Sequence, residues 1–313
     1  MMIDVQALFE RQMAYPNPDA RDALDRLVGL DDHIDRLRKM LSLLVYPRRL
    51  IRWSEKYHGG ATKLIDTVLN RPPLVILAGD VGSGKTALAE SIGDAVARDA
   101  MIEVVLLPLS LAARGQGRMG EMTQLISAAF DYTVKEANSM VKGRNIEGAV
   151  ILLVDEADAL AQSRATADMH HEDVSGVNSF IRGIDRLSAQ HLPAAVIMCT
   201  NRYDALDPAV KRRAAEILTF DRPGAEQRRA VLEPRLAELG FEQPEIDALV
   251  KATGPRGKDG LGFTYSDLVQ RLIPAIVLDA FPESAIAPKR ALEIAEAMEP
   301  TEPFFAYERE RSD

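Results

Sequence analysis

The chain has one cysteine in 313 residues, Cys199. That excludes an intramolecular disulfide and any cysteine cluster around a metal. Cys199 stands in the apolar run AAVIMCT and reads as a buried core residue, not a reactive thiol. An excess of positive charge is also missing: 38 Lys and Arg face 47 Asp and Glu, for a net charge of −9. A sequence-independent grip on nucleic acid needs a basic face, so nucleic acid is not an expected partner. No stretch approaches the roughly 20 consecutive apolar residues of a membrane span. The N-terminus lacks a basic-then-apolar signal pattern. No membrane partner is expected, and the expected location is the cytoplasm. There is no internal repeat and no low-complexity tract. What is present is 47% apolar residues over a length too great for one compact core and comfortable for two.

The most informative stretch is LVILAGDVGSGKT at 74–86. An apolar, β-branched run leads into Gly79, Asp80, Val81, Gly82, Ser83, Gly84, Lys85 and Thr86, and the helix-forming ALAESIGDAVARD follows. This is the phosphate-binding pattern G-x-x-x-x-G-K-[ST] between a strand and a helix, the context it requires. Gly79, Gly82 and Gly84 let the backbone turn and present N–H groups to phosphate oxygens. The helix N-terminus adds partial positive charge. Lys85 supplies a mobile ammonium, and the Thr86 hydroxyl is a magnesium ligand.

Residues 1–26 are polar and interrupted by Pro16 and Pro18, and they read as an arm. A helix is expected from Asp31, with Ile34, Leu37, Met40, Leu41 and Leu44 on one face. Strands are expected at 74–78, 102–107 (ended by Pro108), 149–154, 194–200 and 216–220. Helices are expected at 122–141 and 177–187, a mobile glycine-containing loop at 109–120, and a polar loop at 162–175. Apolar strands alternating with helices imply an α/β fold with a five-stranded parallel sheet covered on both faces. Composition changes at Asp221-Arg222-Pro223-Gly224. Beyond it only helices are expected, near 225–239, 244–252, 264–280 and 287–298. The expected organisation is an arm at 1–26, an α/β domain at 27–221, a small all-helical lid at 222–299 and an acidic tail at 300–313.

Other motifs fall at strand ends. VILLVDEAD closes an apolar strand with Asp155 and Glu156. Asp155 suits magnesium held through water, and Glu156 suits polarisation of an attacking water. MCTN places Asn201 at the end of the next strand, where an amide can orient that water. The same residue type also caps turns. LDPAVKRR then sets Lys211, Arg212 and Arg213 before the fifth strand. Three adjacent cations commonly form a solvated surface, but here they suit an arginine that forks onto phosphate oxygens in a neighbouring site. His170, His171, Glu172 and Asp173 read as a loop facing pore or solvent, not as a metal site.

The spacing of GDVGSGKT, VILLVDEAD, MCTN and LDPAVKRR resembles an AAA+ ATPase over residues 27 to 298. DEADALAQSR, VNSFIRGIDRL and TNRYDALDPAVKRRA are similar to the pachytene-checkpoint remodellers that act on HORMA-domain proteins. The resemblance implies ATP and Mg2+ as cofactors, a hexameric ring, and a HORMA-domain protein as partner. It makes Asn201 the first sensor, Arg213 or Arg212 the arginine finger, and Val28 and Gly29 the lining of the adenine. It implies a bacterial type that accompanies cyclic-oligonucleotide synthases in anti-phage signalling. Three departures stand out. Residues 1–26 are too short for the adaptor-binding domain of eukaryotic members. Ser266, in GFTYSDL, occupies the place of the second-sensor arginine, with Arg271 as the substitute to test. The pore loop, which carries an aromatic residue in the family, here has Arg118 and Met119, whose side chains both pack on peptide. The alternatives are another AAA+ motor, of Rubisco-activase or protease-partner type, and a non-hydrolysing scaffold. Glu156, Asn201 and Arg213 disfavour the scaffold.

Overall fold

The computed structural model describes residues 8–9, 11–60, 62–111, 121–143, 145–160, 171–257 and 260–303. By contacts they form two compact units. One comprises the chain up to Arg26 with Asp32–Ala78 and Thr86–Thr219; the other comprises Leu27–Asp31, Gly79–Lys85 and the chain from Phe220 onward.

The first unit begins with strand β1 (Met13–Tyr15) and helix α1 (Pro18–Asp25). Helices α2 (Asp31–Val45), α3 (Arg48–His58) and α4 (Thr62–Leu69) lead to β2 (Leu74–Gly79). Then come α5 (Lys85–Ala100), β3 (Glu103–Ser110) and α6 (Glu121–Ser139). A small antiparallel pair, β4 (Val141–Lys142) and β5 (Asn145–Ile146), precedes β6 (Gly148–Asp155). The unit continues with α7 (His171–Gln190), β7 (Ala194–Thr200), α8 (Pro208–Lys211) and β8 (Ala214–Phe220). The main sheet has the order β1-β3-β6-β7-β2-β8, and the β3–β6, β6–β7 and β2–β7 pairs are parallel.

β7 is buried at every position, which is why its sequence reads as a continuous apolar run rather than an alternation. Ile76, Leu107, Leu152, Val154, Val196 and Met198 share one core cluster with Ile126 and Phe130 of α6 and Phe180 and Ile184 of α7. The Phe130 and Phe180 rings meet edge to face at 5.6 Å. Cys199 is 1% exposed, as expected for a core thiol.

All five expected strands form, and a sixth joins them. β1 pairs antiparallel with β3, Met13 opposite Leu106 and Tyr15 opposite Val104. Three residues are too few to show a period, so this strand follows from the edge that β3 presents. Tyr15 is 1% exposed, and its hydroxyl donates to the Glu90 carbonyl of α5. Burial, with Glu90 and Asp94 adding repulsion, pushes that hydroxyl well above the ordinary tyrosine range.

Two boundaries differ from expectation. β3 runs through Pro108 to Ser110, in register with Leu153 and Asp155 of β6. A proline removes only the ladder bond of its missing N–H, and β1 stops pairing with β3 at Leu106. α7 starts at His171, so residues 171–175 are helical and not loop. No helix breaker stands between 171 and Gly176. His170 lies outside the described residues.

The second unit is helical: α9 (Ala225–Ala237), α10 (Gln243–Ala252), α11 (Ile273–Ala280) and α12 (Pro288–Ala297). A π-helical turn over Asp267–Leu272 leads into α11, just before Pro274 removes a helix donor. Val231, Leu232, Ile246, Leu249, Phe263, Leu268 and Leu272 form the core. Asp267 is buried beside it with its side chain wholly covered.

Four donors reach the Asp267 carboxylate: Thr264 N at 2.9 Å, Thr301 N at 3.0 Å, Thr301 Oγ1 at 2.6 Å and Arg271 Nη1 at 2.5 Å. Burial alone would raise this carboxyl, but the donors from Thr301, Thr264 and Arg271 outweigh it and hold it below the ordinary value. A depressed carboxyl contributes stability above its unfolded pKa, about 4, and loses it as pH falls through the lower folded value. Asp267→Asn removes the charge and turns an acceptor into a donor facing donors. It should cost about 2–4 kcal/mol at neutral pH in chemical denaturation. The gap to wild type should shrink as pH falls below about 4. A variant within about 0.5 kcal/mol of wild type at pH 7 would remove Asp267 from this role.

Candidate nucleotide site

The phosphate-binding loop lies in the second unit. Gly79, Gly82 and Gly84 have φ of 159°, 72° and 97°. Gly82 shows why the pattern demands glycine: a Cβ there would lie 2.7 Å from Ser266 Cβ and 2.9 Å from Thr264 Oγ1. Ser266 N donates to the Gly82 carbonyl at 3.2 Å. Lys85 is only 6% exposed. Its Nζ donates to the Gly79 carbonyl at 2.9 Å, the Asp80 carbonyl at 2.7 Å and Ser83 Oγ at 3.2 Å. The ammonium is thus folded back over the loop that would hold phosphate.

Val28 packs against the helical core, and Gly29 next to it has φ of 75°. Gln227 Nε2 donates to the Gly29 carbonyl at 3.0 Å, while its Oε1 accepts from Gly224 N at 2.7 Å and starts α9. A Cβ on Gly29 would fall 2.7 Å from Gln227 Cγ and 2.9 Å from the Tyr265 hydroxyl. That hydroxyl is buried with no hydrogen-bond partner among the described residues. Burial, with Asp31 adding repulsion, raises its pKa. A buried, unpartnered hydroxyl next to Gly29 is a group that a bound nucleoside would satisfy.

The carboxylates lie in the first unit. Thr86 Oγ1 donates to Asp155 Oδ1 at 3.3 Å, so strand β6 and the start of α5 bring two hard oxygens together. This donor set suits Mg2+, which takes a few protein oxygens and completes its shell with water and phosphate. Asp155 Oδ1 also accepts from Glu156 N at 2.9 Å. Glu156 is exposed and has φ of 50°, the left-handed region that a non-glycine residue rarely occupies. Backbone strain of this kind clusters at functional sites.

No motif marks Asp158, although it stands in the same DEAD segment. It accepts from Thr200 Oγ1 at 2.6 Å, Asn201 N at 2.9 Å, Asn201 Nδ2 at 3.1 Å and Arg202 N at 3.1 Å. It therefore fixes the orientation of the Asn201 amide. Asp158→Ala should lower turnover about tenfold or more with little change in nucleotide affinity, since it acts on Asn201 and not on the cradle. Steady-state kinetics with a direct binding titration separates the two.

The arginines differ sharply. Arg213 forks onto Asp185, Nε at 2.7 Å and Nη2 at 3.0 Å, and its Nη1 donates to the Ala209 carbonyl at 3.0 Å. Arg212 is exposed and donates from Nε to the Pro208 carbonyl at 3.3 Å. Arg271 is tied to Asp267 and to Thr301 Oγ1, not to the phosphate loop. Among the described residues, Arg222 does meet the loop, pairing with Asp80. Arg118 and Met119 lie outside the described residues.

A protein from Escherichia coli (strain MS 115-1) described as CD-NTase-associated protein 6 is 59% identical over 299 residues, 95% of this chain and 96% of the relative. The chain belongs to the CD-NTase-associated protein 6 family of AAA ATPases. The signature of the ATPase family associated with various cellular activities (AAA) matches residues 75–222. Among solved structures, the E. coli MS115-1 HORMA:CdnC:Trip13 complex contains a chain that aligns with a TM-score of 0.90 and 57% identity, over 97% of this chain and all of that one. Rhizobiales Trip13 aligns with a TM-score of 0.75 and 55% identity, over 95% of this chain. As a member of the CD-NTase-associated protein 6 family, the chain is an ATPase. Among its described residues no helix is long and apolar enough to cross a membrane.

Proposed function

We propose that this chain binds ATP and Mg2+ at residues 79–86 and uses hydrolysis, as a hexameric cytoplasmic ring, to disassemble or unfold HORMA-domain protein complexes. The process served is bacterial cyclic-oligonucleotide defence against phage. The observation that carries this reading is the near full-length 57% identity to the chain of the HORMA:CdnC:Trip13 complex. Its roles fall on residues as follows. The N–H groups from Gly79 to Gly84 and the Lys85 ammonium hold the phosphates; Asp80, Val81 and Ser83 shape the loop. Val28 and Gly29 face the adenine. Thr86 and Asp155 would hold Mg2+, Asp155 through water. When bound, Mg2+ neutralises charge on the transferring phosphoryl group. Glu156 takes the proton of the attacking water, Asn201 orients that water, and Arg212 or Arg213 stabilises charge in a neighbour's site. Residues 27–221 act as the motor domain and 222–299 as its lid.

Grip on the substrate falls to Arg118 and Met119, which ATP chemistry does not need. Arg118→Ala/Met119→Ala should retain most ATP hydrolysis yet dissociate a HORMA complex at least about tenfold more slowly. Both rates are followed in one reaction with a purified HORMA-domain protein bound to its partner. Dissociation at the wild-type rate would move the grip elsewhere. ATP-independent dissociation by the Lys85→Ala protein would overturn the remodelling reading itself.

A further inference from the structure

The phosphate-binding loop contains a side chain of the wrong charge. Asp80 sits second in GDVGSGKT, between the glycines that present N–H groups to phosphate, and its side chain is only 18% exposed. Its Oδ1 accepts from Val81 N at 2.9 Å, and its backbone carbonyl holds Lys85 Nζ at 2.7 Å. The carboxylate therefore belongs to the cradle's own architecture. Left alone, it would repel a triphosphate in a partly desolvated place where charge is weakly screened.

Arg222 answers that charge. It stands just beyond β8, and its side chain is 14% exposed. Nε and Nη2 both donate to Asp80 Oδ2, at 2.9 and 2.5 Å. Nη1 donates to the Gly262 carbonyl at 2.7 Å, and Nη2 also to the Thr301 carbonyl at 2.7 Å. Thr301 is itself fixed on Asp267 through its N–H and its hydroxyl. The guanidinium is thus locked by two carbonyls with its charge directed at the loop. Ser266 brings no charge to Gly82, and Arg271 is engaged by Asp267 and Thr301.

We propose that Arg222 is a positioning residue for the nucleotide. Through Asp80 it neutralises and orients the phosphate loop from the start of the helical segment. This rests on the nucleotide site proposed above. A flexible lysine would keep the charge but lose the fork on Asp80 and the hold on Gly262 and Thr301.

The test is a double-mutant cycle read by calorimetric titration of ATP and ADP into the full chain. Arg222→Ala should weaken ATP about tenfold or more, the effect of one uncompensated charge a few ångströms away. The loss should be smaller for ADP, which carries less charge, and smaller at high salt. In an Asp80→Ala background the same Arg222→Ala change should alter ATP affinity less than about twofold. Arg222→Lys should fall between wild type and alanine, and it serves in both backgrounds if Arg222→Ala does not fold. Equal losses in the two backgrounds, or equal losses for ATP and ADP, would overturn the proposal. Lys85→Ala in the same titration keeps the two readings apart. If wild type binds ATP and Lys85→Ala does not, the site stands whatever Arg222 does.

Discussion

Glu156→Gln should bind ATP about as tightly as wild type while phosphate release falls by about 10²–10⁴-fold, the usual contribution of a positioned general base. The substitution keeps size and shape, and it leaves the backbone of a residue at φ 50° in place, with its N–H on Asp155 Oδ1. It also leaves the Thr86–Asp155 pair intact, so the residues proposed to hold Mg2+ are unchanged. What it removes is the capacity to take a proton. Lys85→Ala makes the opposite change. Its ammonium lies on the Gly79 and Asp80 carbonyls, ready to swing to phosphate, and without it the N–H groups alone face a triphosphate. That variant should lose binding and turnover together. Nucleotide titration and phosphate release on both proteins separate the roles, and hydrolysis by Glu156→Gln within about threefold of wild type would take that residue out of the mechanism.

The parts of the site legible in the sequence are those built from consecutive residues. A strand, a glycine turn and a helix carry 74–86, and one strand end carries Asp155 and Glu156. Their chemistry and their geometry are fixed by the same few positions. The sheet was legible because strands buried on both faces are apolar throughout. What the sequence concealed is set by contacts between distant segments. Three residues of β1 show no pattern of their own and are ordered by β3. Pro108 looks like a strand terminator until the short reach of β1 is known. Asp158 orients Asn201 from 43 positions away, and Arg222 meets Asp80 across 142. Each lies in a segment that drew notice for another reason, DEAD for its first two acids and DRPG for a change in composition. Only the fold shows whom they face. The left-handed backbone of Glu156 was likewise invisible, because no residue type announces it.

The two arginines after α8 give the other large expected effect. Sequence alone leaves Arg212 and Arg213 equivalent as the finger. The structure separates them: Arg213 is held in its own chain by both Asp185 oxygens, an interaction that also keeps its guanidinium more firmly protonated. Arg212 is exposed, with a single backbone contact of 3.3 Å through Nε. A finger must be able to leave its own chain for a neighbour's phosphate, and a guanidinium already forked onto a carboxylate gives up that pairing to do so. We therefore propose Arg212 as the finger; Arg213, forked onto Asp185, holds the turn between α8 and β8. Arg212→Ala should lower turnover by about 10³-fold or more, the scale of arginine fingers in phosphoryl transfer, while ATP affinity stays near wild type. If the residue acts on a neighbour, mixing Arg212→Ala with Lys85→Ala should restore part of the activity. A subunit with an intact loop then meets one with an intact arginine. Arg213→Ala should leave thermal stability within a few degrees of wild type, since Asp185 is half exposed and water takes up its carboxylate. If Arg212→Ala turns over ATP normally and Arg213→Ala does not, the roles are reversed. If neither Arg212→Ala nor Arg213→Ala complements Lys85→Ala on mixing, the arginines do not act between subunits.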